Sequence, residues 1–451
     1  MTSYAWVGLF AVTMASACEL PPQYCEGEAL PEEPPSSKPQ ARVVAQVLPV
    51  ESTAVDILFV IDDSMSMMDE QEQLATWSSE MFDVLSASGE LPDLHIAVTS
   101  SSVAISGLTQ CQTGGSLHVG SAVLQGERFI RDVAGAAGRE RNYTGTLKET
   151  FGKMARVGDA GCGFEQPFKA ARLALTGFAP GAKGFLREDA LLLVVFVTDE
   201  DDCSSKSPAL YGDQQGDACS ELGVVTSYRC FEHGVRCYDG KGSREFGERR
   251  NCRPDESSPY VESVSGFADY LKGLKMNPAQ VVVAGIYGKP NGVTAIVDER
   301  ITTFTTPRLA DVCGGGGKEG SGATPAVRMN ALMAEFGGRA SHSSICESQL
   351  SWAMREVGLV TRGAATRSRC LRGALSDLDV SAPGLQPACR VEVVDDVGAR
   401  VELPSCDRAT ARDCFTLAVD PACEETETQL AVQVAERAGN ETVTVACEVV
   451  E

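Results

Sequence analysis

The stretch VDILFVIDDSMSMMDEQEQL, residues 55–74, passes abruptly from apolar residues to acids and hydroxyls. Its first part, VDILFVI, predicts a strand buried on both faces of a sheet. Residues that follow such a strand lie at the carboxyl edge of the sheet, where open α/β sheets bind ligands. Asp62, Ser64 and Ser66 bring three side-chain oxygens to this edge. Hard divalent cations, Mg²⁺ above all, select such oxygen donors, so the stretch predicts a cation site beside a buried strand.

Other segments extend this pattern into an α/β fold with a mostly parallel central sheet and helices on both faces. The predicted helices are MDEQEQLATWSSEMFDVLSAS (68–88), FEQPFKAARLALTGF (164–178), AVRMNALMAEFGG (326–338) and ESQLSWAMREVGLV (347–360). The further predicted strands are LHIAVTSS (94–101), LLLVVFVTD (191–199) and VVVAGIYG (281–288). The first helix repeats apolar residues at helical spacing, which predicts a core-facing stripe of Leu74, Trp77, Met81, Phe82 and Leu85.

The chain divides into segments of different composition. We expect the α/β domain to cover 42–363, with a cysteine-rich insertion at about 203–260. From 370 to 451 apolar and polar residues alternate at period two, which predicts a small, disulfide-rich β domain. Residues 18–41 are rich in Pro and Glu and predict an extended tether.

The N-terminal segment indicates export. YAWVGLFAVTMASAC, residues 4–18, has the apolar run and small residues of a signal peptide over 1–17. ASAC also resembles the lipobox of bacterial lipoproteins, which implies a lipid on Cys18. The chain has 17 cysteines, so assigning Cys18 to a lipid leaves an even number for disulfides. We therefore expect a lipoprotein of the bacterial outer membrane or cell surface, or else a secreted or periplasmic protein.

The charge balance limits the partners. The chain carries 62 acidic and 39 basic residues, for a net charge of −23. Such a field repels phosphate backbones and anionic membranes, so a nucleic acid partner is excluded and a membrane is reached only through a lipid anchor on Cys18.

Together the strand-end residues resemble a known metal site. FVIDDSMSM, residues 59–67, is similar to the D-x-S-x-S metal-ion-dependent adhesion site of von Willebrand factor type A domains. TDED, residues 198–201, lies where that family places a further metal-binding aspartate. The resemblance covers about 50–362 and implies a Rossmann-like sheet with Mg²⁺, Mn²⁺ or Ca²⁺ at its edge. It also implies that Ser64 and Ser66 bind the ion through their hydroxyls, and that Asp62 and Asp199 act directly or through water.

One family residue is missing. The family takes a threonine from a middle loop, whereas the corresponding stretch ARVGDAGCGFEQPFKAA, residues 155–171, has none. Glu165 offers an oxygen in its place, directly or through water, and Asp159 is a second candidate.

The resemblance implies a binding function, because the family's metal keeps an open position that a carboxylate of the partner fills. We therefore expect a non-enzymatic surface protein that binds a protein or extracellular-matrix ligand. Two alternatives remain open: a structural envelope protein in which the metal only stabilises the fold, and a metal-dependent hydrolase. A haloacid-dehalogenase-type phosphatase needs a second Asp where this chain has Ser64, and the chain lacks the G-x-S-x-G motif of serine hydrolases. For Ser64 and Ser66 the alternative is helix capping.

Overall fold

The computed structural model describes most of 54–365 and parts of the C-terminal region. The described residues are 29–30, 42–48, 54–87, 91–106, 108, 111, 114–177, 181–212, 218–303, 305–313, 322–365, 371, 375, 387–394, 400–405, 414–419, 430–434 and 442–449. The predicted signal peptide and Cys18 lie outside them. Within these ranges, no helix combines the length and the apolar composition needed to cross a membrane.

The described residues form strands throughout the chain. They are β1 (Arg42–Leu48), β2 (Ala54–Ile61), β3 (Asp93–Ser100), β4 (Ile130–Gly135), β5 (Gly138–Arg141), β6 (Leu191–Val197), β7 (Val235–Cys237), β8 (Gly247–Glu248), β9 (Cys252–Pro254), β10 (Val281–Tyr287), β11 (Thr294–Val297), β12 (Pro307–Leu309), β13 (Ala340–Ser344), β14 (Cys389–Val394), β15 (Arg400–Leu403), β16 (Phe415–Val419), β17 (Leu430–Val434) and β18 (Thr442–Val449).

Seven α-helices lie between the strands in the described ranges. They are α1 (Met68–Ser86), α2 (Leu147–Ala155), α3 (Pro167–Leu175), α4 (Tyr228–Gly234), α5 (Val264–Lys272), α6 (Val327–Phe336) and α7 (Ser351–Ala365). The four predicted helices correspond to α1, α3, α6 and α7 and are confirmed.

The main sheet is mostly parallel. Its order is β13-β10-β6-β2-β3-β4-β5. The strands from β13 to β3 run parallel, and β4 and β5 add an antiparallel hairpin at one edge. The four predicted strands are the adjacent central strands β10, β6, β2 and β3, so the predicted parallel core of the sheet is confirmed.

Helices cover both faces of the sheet, which explains why the central strands are mostly apolar on both faces. In β2, Ile57 and Phe59 pack with α1, α2 and α7 on one face. Leu58 and Val60 pack with α3, α5 and α6 on the other. The predicted stripe of α1 lies in the first of these layers, with Trp77 only partly buried against it. The result is a three-layer α/β arrangement.

The connections of β2 and β6 create a crevice. The chain leaves β2 for β3 on one side of the sheet and returns to β6 on the other side of β2. Neighbouring parallel strands whose connections diverge in this way leave an opening outside their carboxyl ends. Residues just after Ile61 and just after Val197 therefore lie beside one another at that opening.

The cysteine-rich insertion is ordered by cross-links and buried arginines. Disulfides join Cys203 to Cys230 and Cys237 to Cys252. The guanidinium of Arg229 is buried and donates to the carbonyl oxygens of nearby loops, including that of Gly223. The insertion is thus an ordered part of the structure, and α4 is its longest helix among the described residues.

In the C-terminal region β14, β15 and β18 form a small antiparallel sheet with β1, in the order β1-β18-β14-β15, and β16 pairs separately with β17. Cys389 and Cys447 are joined across β14 and β18. β1, placed by sequence in the α/β domain, pairs with β18 instead. Within the predicted tether, Ala29 forms a bridge with Gly242 of the insertion. The tether is therefore attached at one described point.

We predict that the cost of truncating a methionine follows its burial. Met81 of α1 is fully buried and Met276 is 85% exposed. Met81→Ala should lower the free energy of unfolding by about 2–5 kcal/mol, because it leaves a cavity in the core. Met276→Ala should change it by less than about 0.5 kcal/mol. Urea unfolding followed by circular dichroism measures both; equal effects would contradict the packing described.

Candidate metal centre

Asp62 is the first residue after β2 and is fully buried. Its amide donates to the carbonyl oxygen of Val197 at 2.9 Å, which ties the end of β2 to the end of β6. One carboxylate oxygen accepts from the amide of Ser64 at 2.8 Å, and the other accepts from the hydroxyl of Thr198 at 2.7 Å. The carboxylate is thus oriented by the turn after its own strand and by the neighbouring strand end.

The hydroxyls of Ser64 and Ser66 lie together, 3.0 Å apart. Ser64 precedes the 3-10 turn Met65–Met67, and α1 begins at Met68. Neither the 3-10 turn nor α1 receives a capping hydrogen bond from a side chain at its start. Helix capping therefore does not account for the two hydroxyls, which are hydrogen-bonded to each other and to the carboxylates of Asp62 and Asp199.

Asp199 and Glu165 each bring an unused oxygen to the same edge. Asp199 is 7% exposed and accepts a side-chain hydrogen bond from Ser66. Glu165 is 1% exposed and shares a side-chain hydrogen bond with Glu200. One oxygen of each, Oδ1 of Asp199 and Oε1 of Glu165, is buried without a hydrogen-bond partner among the described residues. Buried polar atoms are normally paired, so these two oxygens require an explanation.

Burial makes these acids hard to ionise. It raises the pKa of Asp62 to about 7. Burial, followed by repulsion from Asp62 and Glu200, raises the pKa of Asp199 to about 8. The pKa of Glu165 is raised for the same reasons, by burial first and then by Glu200 and Asp62. A cation among these groups would favour their ionised forms.

The donor set fits a hard divalent cation. The described residues contain no group of three or more His, Cys, Asp or Glu side chains that forms a ready-made metal site. The candidate set instead combines the hydroxyls of Ser64 and Ser66 with carboxylates, and Mg²⁺ takes few protein oxygens while it keeps several waters. The two unpartnered carboxylate oxygens are the atoms that such a hydrated ion would satisfy.

Three further residues position the site and were not predicted. Gln71 of α1 is buried and donates to the carbonyl oxygens of Asp62 and Gly158, at 3.0 and 2.7 Å. The carbonyl oxygen of Asp63 accepts from the amide of Gly161 at 2.8 Å. Any Cβ at residue 161 would lie 2.4 Å from the carboxylate of Asp63, so glycine is required there. The available signal for Gln71 was a polar residue one turn before Leu74 on the core face.

Disulfides flank the two loops that carry the acids. Cys111–Cys162 cross-links the loop three residues before Glu165 to the loop after β3. Cys203–Cys230 cross-links the loop four residues after Asp199 to α4. In addition, the carbonyl oxygen of Glu165 accepts from the amide of Cys203 at 2.8 Å. The buried acids are therefore carried on loops with little freedom to separate.

The structure brings all five predicted site residues to one edge: Asp62, Ser64, Ser66, Asp199 and Glu165. Asp159, the second candidate for the missing threonine, is exposed. A cavity of about 940 Å³ opens at this edge, lined by Ser66, Glu165 and Asp199 among others.

Comparison with known proteins finds only distant structural likeness. No family model matches the chain, and no curated protein matches it. Among solved structures, the pilus adhesin SpaC from Lactobacillus rhamnosus GG has a TM-score of 0.31 at 11% identity, over 90% of this chain and 40% of that one. The pilus adhesin RrgA from Streptococcus pneumoniae has 0.29 at 9%, over 90% and 58%. A von Willebrand factor type A protein from Catenulispora acidiphila has 0.29 at 11%, over 91% and 62%.

The chain thus spans less than two thirds of the length of each of these three structures. At TM-scores of about 0.3 these likenesses assign the chain to no family.

We predict that, without a divalent cation, the free energy of unfolding falls as the pH rises from about 4 to about 8. In this range the folded chain holds protons on Asp62 and Asp199 that the unfolded carboxyls, with a pKa of 3.8, have already lost. Mg²⁺ should remove this loss at about pH 8, because it stabilises the ionised carboxylates. Calorimetric Tm values in EDTA and in Mg²⁺ across this range measure the effect.

The control for this prediction is the double variant Asp62→Asn, Asp199→Asn, which lacks the two titrating groups. Its stability should depend less on pH and should not respond to Mg²⁺. An unchanged pH dependence and Mg²⁺ response in the variant would show that other groups are responsible.

We also predict that the Cys111–Cys162 disulfide supports cation binding, since it restrains the loop of Glu165. The double variant Cys111→Ser, Cys162→Ser should weaken Mn²⁺ binding by about threefold to tenfold, as expected when a ligand loop loses preorganisation. The matched control is Cys237→Ser, Cys252→Ser, which removes a disulfide within the insertion. Calorimetric titration with Mn²⁺ compares the two; equal losses would refute a specific role.

Proposed function

We propose that the carboxyl edge of the main sheet binds a divalent cation, Mg²⁺ or else Mn²⁺ or Ca²⁺, and that the ion holds a carboxylate of a protein or matrix partner. Asp62, Ser64, Ser66 and Asp199 are the proposed ligands, directly or through water, with Glu165 as a further oxygen donor. The observation that carries the proposal is the pair of buried, unpartnered carboxylate oxygens beside the two hydroxyls.

The energetics favour a bound cation. An ionised carboxylate that is buried without a partner costs several kcal/mol, so isolated acids of this kind stay protonated or bind a cation. Several such acids lie at one edge here, and their mutual repulsion adds to the cost. A divalent ion offsets both the cost of burial and the mutual repulsion, whereas one hydrogen bond would offset only part of the cost of burial.

Neutral ligands leave the ion reactive toward an anion. Two of the proposed ligands are hydroxyls, which lower the charge of the ion less than carboxylates do. Such an ion keeps waters that a carboxylate from outside can replace. In the proposed function, the cation binds the carboxylate of the partner at this position.

The surface around the site suits a protein partner. Met65 lies between the two serines and is 76% exposed, and Met68 is 56% exposed. Methionine side chains adapt to different apolar surfaces, and exposed ones beside a polar centre are frequent in binding sites. A partner that places a carboxylate on the ion would cover these two side chains.

We further propose that the α/β part is a von Willebrand factor type A-like domain and that the protein works outside the cytoplasm, at a cell surface or after secretion. The D-x-S-x-S pattern after β2 and the order of the parallel strands support the first part of this proposal. The disulfides among the described residues support the second. A lipid on Cys18 would anchor it, and mass spectrometry of the mature N-terminus tests this anchor. The proposed role is adhesive rather than catalytic.

We predict that Ser64→Ala weakens Mn²⁺ or Mg²⁺ binding at least tenfold, about 1.4 kcal/mol, because it removes a ligand. The matched control is Ser79→Ala, which removes a surface hydroxyl of α1 hydrogen-bonded to Lys148. Cation affinity is measured by calorimetric titration.

The same variants separate adhesion from a purely structural role. Immobilised protein is offered cell-surface and matrix extracts in Mg²⁺ or in EDTA. The proposal expects capture that is lost in EDTA and in Ser64→Ala while the fold is retained. Capture that is equal in all conditions, with only the Tm lowered in Ser64→Ala, would favour a metal that merely stabilises the fold.

A further inference from the structure

The cavity beside the proposed metal centre is lined by several separate segments of the chain. Ser66, Glu165 and Asp199 form the part at the sheet edge. Tyr228 and Phe231 of α4 also line it, as do Glu299, Arg300, Arg308, Leu309 and Asp311. Its volume of about 940 Å³ far exceeds the space that a hydrated ion needs and could hold a long side chain as well.

The lining of this cavity is acidic. Seven acids and three arginines line it. Each arginine has an acidic ion-pair partner, and Arg300 also attracts Glu200, where it partly offsets the rise in pKa that burial causes. The pairs are Arg328–Asp202 at 2.8 Å, Arg300–Asp298 at 2.7 Å and Arg308–Asp311 at 3.8 Å.

Asp201 is also partnered, because its carboxylate accepts from backbone amides at the start of α6. Four other lining acids belong neither to these ion pairs nor to this contact. They are Glu165, Asp199, Glu200 and Glu299. One divalent cation would balance two negative charges, and a carboxylate from the partner would add another. A further positive group would favour the ionised forms of these acids, and Glu165 and Asp199, each with one unpartnered oxygen, are among the lining residues.

Aromatic rings complete this environment. Phe164, Tyr228 and Phe231 all line the cavity. Rings combined with carboxylates favour an ammonium or guanidinium group, since the ring face attracts a cation and also packs against its apolar stem.

We propose that the cavity receives a Lys or Arg side chain of the same partner whose carboxylate binds the ion. The inference rests on the proposed function, because it assigns the chemistry of the partner at that site. The partner motif is thus an acidic residue with a basic residue close to it in space. Glu299 and Glu200 recognise the basic group, and the ion recognises the acidic one.

The test uses the full chain and bead-bound, capped hexapeptides as probes. Each peptide carries one Asp, and the other positions are varied among Lys, acetyl-lysine, Gln, Ser and Leu. Acetyl-lysine keeps the length of the side chain and removes its charge. In Mg²⁺ we expect captured peptides to combine Asp with unmodified Lys, and the acetylated equivalents to bind at least about tenfold more weakly.

Glu299→Gln is the informative variant, because Glu299 is exposed and lies outside the proposed metal ligands. It should reduce the preference for Lys to about threefold or less and leave Mn²⁺ affinity within about twofold. Asp83→Asn, which removes an exposed acid of α1, is the matched control and should leave the preference unchanged.

The outcomes separate the two proposals. Mg²⁺-dependent capture of Asp peptides without a preference for Lys would overturn the basic-group pocket and leave the metal-bridged function intact. A preference for Lys that survives Glu299→Gln undiminished would also overturn the assignment to this cavity. The absence of any Mg²⁺-dependent capture of Asp peptides would overturn the proposed function, and the inference with it.

Discussion

The hydrogen bond between the amide of Asp62 and the carbonyl oxygen of Val197 joins the ends of β2 and β6. These strands are neighbours in the centre of the sheet, apolar on both faces and covered by helices on each side. Because their connections leave in opposite directions, a crevice opens beyond their ends. The polar residues that follow each strand therefore meet in a crevice whose position is fixed by the core.

The crevice holds several buried acids close together, which lowers the stability of the folded chain. Loops that carry Asp199 and Glu165 are held by disulfides and by backbone hydrogen bonds, so the acids cannot relax apart. Unpaired buried acids lower the stability of a fold, and groups with strongly raised pKa values of this kind cluster at functional sites. A divalent ion and a basic group of the partner would each offset part of the same excess of negative charge. The two proposals thus follow from one electrostatic condition.

Sequence alone was sufficient for strands that are mostly apolar. The four central strands were predicted because burial on both faces leaves few polar positions in them. β13 was missed because ASHSS is polar, which an edge strand tolerates. α2 was missed although Thr146 and Glu149 form a capping box, a signal visible in the sequence.

The candidate site was predictable to the same degree. Oxygen donors directly after a buried strand were identified, because their position follows from the strand itself. The contacts of Gln71 and Asp63 join segments far apart in sequence, and only the packed structure brings them together.

Cation binding at the strand ends is tested most directly by anomalous X-ray scattering at the manganese edge, from crystals grown with Mn²⁺. We expect a peak within coordination distance of the Ser64 and Ser66 hydroxyls. The absence of a peak there, or Mn²⁺ bound only elsewhere, would refute the proposed site.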